Sequence, residues 1–214
     1  PTEIYTLSLH DALPICPAIP LIGNHEVPDA NYESEAELAE WKKRFGPPTR
    51  FVDIRGWRLV CLNIMVPNPG ESKGKGQVYG IDDEQVKWLE GVLAEAKSKS
   101  MSALLFFHVP PAGFGYKNDF ERVVSGSGCV KGIFCGHNHS NSRTTFGGVP
   151  VFVRIGNANS PMGYSMIYVY PDGKILVKQK SQILPYPNYK SQTIRPGLEK
   201  AQADRYFHDN GTTE

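Results

Sequence analysis

Residues 133–140 read IFCGHNHS: an apolar run, a glycine, and then two histidines separated by one residue. A continuous apolar run of this kind suits a strand buried on both faces of a sheet. Loops leaving one edge of an α/β sheet converge, so polar residues placed directly after such a strand collect where a site forms. Two other stretches repeat the arrangement. LIGNHE (21–26) closes an apolar run with Gly23 and continues into Asn24, His25 and Glu26, and LLFFHVPP (104–111) closes one with His108. Four of the six histidines therefore stand at predicted strand ends.

The segments between these motifs predict an α/β chain. Leu38, Trp41 and Phe45 recur at helical spacing in ESEAELAEWKKRFG (33–46), with acids early, bases late and Gly46-Pro47 as the stop. TRFVDIR (49–55) and WRLVCLNI (57–64) flank Gly56 as two tightly joined strands, and AIPLI (18–22) reads as a short buried strand. IDDEQVKWLEGVLAEAKSK (81–99) predicts a helix with Asp82 as N-cap, Gln85 closing a capping box, and Val86, Leu89 and Leu93 facing inward. ALLFF (103–107) and VKGIF (130–134) are central strands. Gly147-Gly148 and Pro171-Asp172-Gly173 punctuate a later meander of hairpin strands. Strands that alternate with helices and then run as a meander predict two sheets with helices outside.

Composition excludes several functions. The formal net charge is only +1, with no basic tract to grip a nucleic-acid backbone. No apolar run approaches bilayer length, and no signal peptide is visible. Of four cysteines, Cys61 and Cys135 lie in strand-like runs and read as small buried hydrophobes, which favours a reducing, cytoplasmic compartment.

Each motif alone has a plain reading. His137 and His139 can turn to one locus and suit one metal or two adjacent ones, or they can belong to a solvated loop. The letters HNH alone do not make a nuclease. His108 alone suits a half-buried histidine, and Asn24-His25-Glu26 suits a turn. Together they supply the several N and O donors that a hard or borderline metal needs.

GNHE, a strand-end histidine and GHNH, in this order, resemble the second half of the calcineurin-like metallophosphoesterases. The resemblance covers about residues 17–184, and the text before LLFFHVPP is similar to the bacterial cyclic-nucleotide phosphodiesterase-like branch. It implies a four-layer αββα sandwich and a small phosphoester substrate, hydrolysed at a centre of two divalent or trivalent ions of iron, manganese, zinc or nickel. Asn24, His108 and His137 would hold one metal and His139 the other. His25 would act beside the phosphoryl group, with Glu26 orienting its ring. Two such cations clamp the phosphoryl oxygens and acidify a bridging water.

The same resemblance calls for an earlier half, with an Asp-x-His or Asp-x-Gly and then a Gly-Asp motif whose second aspartate bridges both metals. Only 22 residues precede Gly23, and none of them form a Gly-Asp pair. His10-Asp11 has the wrong order. Thr2 to Ile15 match, at every residue, the translation of a common sequencing-adapter oligonucleotide. Residues 1–16 are therefore expected to be an artefact, with the N-terminal strands missing and the chain inactive as written. Residues 185–214 read as a polar tail without periodicity, expected to be disordered. The alternatives are a non-catalytic scaffold on the same fold and a mononuclear zinc or iron protein.

Overall fold

Arg55 and Gly56 carry φ of 48° and 82° and fold β1 (Arg50–Ile54) back onto β2 (Trp57–Cys61) as an antiparallel pair. Two successive positive φ values match the right-handed twist of the flanking strands, so the tight join expected at Gly56 is a two-residue hairpin. The computed structural model describes residues 18–26, 35–65, 79–115, 118–154 and 162–182. The adapter-like residues 1–16, the tail 185–214 and positions 67–78 of the polar, glycine-rich stretch PNPGESKGKGQVYG (67–80), which reads as a loop, lie outside them.

Among the described residues there are three α-helices and six further strands. They are α1 (Glu35–Phe45), α2 (Asp83–Ser98), β3 (Ser102–Phe106), α3 (Phe120–Ser127), β4 (Val130–Cys135), β5 (Ser142–Phe146), β6 (Val149–Val153), β7 (Met162–Val169) and β8 (Ile175–Gln182). One sheet runs in the order β1-β2-β3-β4-β6-β5, and β7 pairs with β8 in a second. Strands β2, β3, β4 and β6 are mutually parallel, and the antiparallel β1 and β5 close the two edges. Of these, β3 and β4 come from the apolar runs ALLFF and VKGIF, which burial on both faces favours, whereas β2 carries Arg58 and β6, expected in the hairpin meander, is a central parallel strand.

The larger sheet has two buried faces. On one, Leu105, Ile133 and Val151 pack against Trp41 of α1, Leu89 and Leu93 of α2 and Val123 of α3. On the other, Trp57, Leu104, Phe134 and Phe152 meet Val177 of β8, with Ile167 and Ile175 beside them. Each fully buried Leu or Ile contributes about 2 kcal/mol relative to exposure. The architecture is a mixed α/β sandwich of helices, sheet and sheet, and three of the four expected layers are built from described residues.

Asp82 caps α2 by accepting the Gln85 amide at 2.7 Å. The capping box is only half formed. The Gln85 side chain donates to the Asp82 carboxylate and to Asn63 O and accepts from Thr49 and from the Asn63 amide, tying α2 to the end of β2. The run 18–22 joins no described ladder, although Ile22 is fully buried. Pro20 has no N–H to give a neighbouring strand, and its carbonyl accepts from the Arg50 guanidinium at 2.7 Å. Helix α3 was not expected. It is short, with Phe120, Val123 and Val124 inward and Gly128 ending it at φ 70°. Cys61, Cys129 and Cys135 are buried free thiols, and burial raises the pKa of Cys61 and Cys135.

Candidate functional site

Strands β3 and β4 end side by side, and the ladder continues past them: the Gly136 amide donates to His108 O at 2.9 Å. The 21–26 segment crosses this edge. Gly23 passes so close that a Cβ there would lie 3.0 Å from both His108 Cγ and Glu26 Oε2. Only glycine permits that approach without displacement. The turn is closed by Glu26, whose carboxylate accepts the Gly23 amide at 2.7 Å. That carboxylate was expected to orient His25, but its hydrogen bond is to the turn's own backbone.

Three donor atoms from three distant segments meet here. Asn24 Oδ1 is 2.7 Å from His108 Nε2 and 3.3 Å from His137 Nδ1, and the two ring nitrogens are 3.4 Å apart. Adjacent donors on a cation with bonds of about 2.1 Å stand about 3.0 Å apart in an octahedron and about 3.4 Å apart in a tetrahedron. Two edges, 3.3 and 3.4 Å, match that range and the third, 2.7 Å, is at hydrogen-bond distance, so the three atoms face one small locus whose mixed N and O chemistry suits a cation. Among the described residues no three His, Cys, Asp or Glu side chains group this way; the third donor is the Asn24 amide.

Burial, and then the neighbouring His137, push the pKa of His108 down to about 4. Burial also lowers the pKa of His137, followed by the charges of His139 and His25. Near neutral pH both rings are therefore uncharged, each with one nitrogen unprotonated and able to bind a metal. The charges of His25 and His139 act on both rings, and these two histidines are the more exposed. His10, Asp11 and His208 lie outside the described residues.

The GHNH loop is conformationally strained. His137 and His139 hold φ of 66° and 50°, a left-handed region that costs a non-glycine residue about 1–2 kcal/mol. Two such residues in one short loop mark a geometry imposed by something other than local preference. Tyr79, which the sequence gave no reason to single out, sets its ring edge-on to His137 with centroids 5.3 Å apart.

No protein-family model matches the chain. A Synechococcus sp. protein named as a probable cyclic nucleotide phosphodiesterase is 28% identical over 174 residues, covering 74% of this chain and 62% of that one. The match to a protein of that name agrees with the resemblance to the calcineurin-like metallophosphoesterases. It spans about three fifths of that curated relative's length. A dimetal phosphatase structure from Danio rerio aligns with a TM-score of 0.43 at 17% identity, over 58% of this chain and 53% of that one. No helix among the described residues is long and apolar enough to cross a membrane.

Proposed function

We propose that this sheet edge is part of a metal-dependent phosphoesterase centre acting on a small phosphomonoester or phosphodiester. The observation that carries the reading is the triangle of Asn24 Oδ1, His108 Nε2 and His137 Nδ1. In this reading those three residues hold one cation and His139 contributes to a second, of iron, manganese, zinc or nickel type. When bound, such ions supply Lewis-acid charge to phosphoryl oxygens and acidify water.

The chain's own residues divide the remaining work. His25 is exposed beside the triangle, free to give a proton to the leaving oxygen at its ring nitrogen while staying off the metals. Glu26 and Gly23 hold the turn that presents it. The three triangle donors are all uncharged, so they neutralise none of a cation's charge, and the reading requires carboxylate ligands beyond them. The relationship to a probable cyclic nucleotide phosphodiesterase supports phosphoester chemistry.

The test is hydrolysis of aryl phosphomonoesters and phosphodiesters by the full-length protein before chelation, after it, and after manganese is restored. Turnover is expected to vanish with the metal and return with it. Turnover that survives complete chelation contradicts the reading.

A further inference from the structure

His137 has left the strand that delivers it. Along β4 the pleat fixes the direction of each side chain, but at φ 66° the chain turns and that alternation no longer aims the His137 ring. Its direction then depends on what it touches. The His108 ring meets it at a centroid distance of 5.2 Å and an interplanar angle of 81°, but His108 is a fellow donor whose Nε2 faces the same locus. A second ring, Tyr79, meets it at 5.3 Å and 65° and is not one of the three donors.

Tyr79 is itself held in place by its backbone. Its carbonyl accepts the Gly115 amide at 3.0 Å, and the next amide, that of Gly80, donates to Ile64 O at 3.1 Å. Both anchors lead into packed structure. Ile64 is fully buried, and Phe114, the neighbour of Gly115, packs on Phe107 and Phe120 with centroids 5.7 and 6.1 Å away. The half-buried Tyr79 side chain rests against the same helix-side core.

A tilted contact of this kind sets the positive edge of one ring against the negative face of the other, so it favours one relative orientation. Tyr79 therefore resists rotation of the His137 ring. Such rotation would swing Nδ1 away from Asn24 Oδ1, 3.3 Å off, and from His108 Nε2, 3.4 Å off.

We infer that Tyr79 is a positioning residue, which holds the His137 imidazole with Nδ1 turned to the locus it shares with Asn24 and His108. This rests on the reading of that locus as a metal site. A ligand group already oriented binds a cation more tightly than one that must be ordered on binding.

The experiment titrates manganese into the metal-free full-length protein by calorimetry for the parent, Tyr79→Phe and Tyr79→Leu. It also records the visible spectrum of each cobalt-loaded protein and its urea midpoint. Phenylalanine keeps the ring, and leucine keeps apolar bulk without it. Tyr79→Leu is expected to bind manganese about threefold to tenfold more weakly and to shift the cobalt spectrum. Tyr79→Phe is expected to stay within about twofold of the parent and to match its spectrum. A role in packing alone would move the urea midpoint and leave the cobalt spectrum of the folded protein as in the parent. Parental manganese affinity and cobalt spectrum in Tyr79→Leu overturn the inference, as does a Tyr79→Phe protein as weak as Tyr79→Leu. Should Tyr79→Leu fail to fold, Tyr79→Met takes its place with the same two outcomes. A parent that binds neither metal refutes the metal-site reading itself, and this inference with it.

Discussion

Asn24 Oδ1 and His108 Nε2 lie 2.7 Å apart although 84 residues separate them in sequence. The contact exists because Gly23 lets the 21–26 turn lie directly against the His108 ring. Backbone clearance at one glycine therefore sets the geometry of two donors.

Gly23→Ala tests that dependence. The added methyl must displace His108 or Glu26, each 3.0 Å from its position, and so spoil the triangle. Metal affinity is expected to fall at least tenfold, with a stability loss of about 1–3 kcal/mol from overpacking. Metal titration and urea denaturation report the two separately. A variant with parental metal affinity would show that the close approach is incidental.

The left-handed conformation of His137 predicts a trade between stability and binding. In the metal-free protein His137→Gly should exceed His137→Ala in stability by about 0.5–1 kcal/mol, because glycine adopts positive φ without strain. Both variants should lose metal. Equal urea midpoints would mean that the backbone relaxes once the ring is gone.

Away from the site, Arg58 is 1% exposed and is held by Asp53 at 2.8 Å, Glu95 at 2.9 Å and the Val92 carbonyl at 2.8 Å. Its guanidinium also lies 4.0 Å from the Phe51 ring centroid. Arg58→Ala is expected to cost about 2–4 kcal/mol, through a cavity and lost pairing. The Arg58 hydrogen bond lowers the pKa of Asp53 below the ordinary aspartate value. The folded protein then binds fewer protons than the unfolded chain, so this stabilisation is present above about pH 4 and is lost as pH falls through the lowered pKa. Urea midpoints from pH 7 to 3 should fall less steeply in Asp53→Asn than in the parent; parallel curves would exclude this pair as the source.

Tyr79 ties the end of the 67–80 segment to His137. Shortening the sequence between Pro67 and Gln77 is expected to alter relative rates on different phosphoesters with a melting temperature within a few degrees of the parent's. A large drop in melting temperature would make the segment structural.

Much of this was legible from residue chemistry. Gly56, Gly147-Gly148 and Gly173 announced their turns because few residues other than glycine tolerate positive φ. ALLFF and VKGIF announced central strands because short, largely apolar runs suit strands buried on both faces. The convergence of His108 and His137 followed from strand ends sharing one edge, whereas Asn24 reaches them from a turn that follows no described strand. Tyr79 was not legible. It stands near the end of a polar, glycine-rich stretch, and only the folded chain sets its ring against His137. Residues 18–22 misled, since apolar content signals burial but Pro20 withholds the N–H a ladder needs. Helix α3 was hidden by its length and by Gly126, both of which argue against a helix.

The central claim separates residues that hold the cation from the residue that serves the leaving group. The most direct measurement is metal content beside turnover for His108→Ala and His25→Ala in the full-length protein. His108→Ala should lose metal and activity together. His25→Ala should keep nearly all its metal while turnover falls about a hundredfold or more, the usual contribution of a positioned acid. If His25→Ala loses metal as readily as His108→Ala, the division of roles at this edge is wrong.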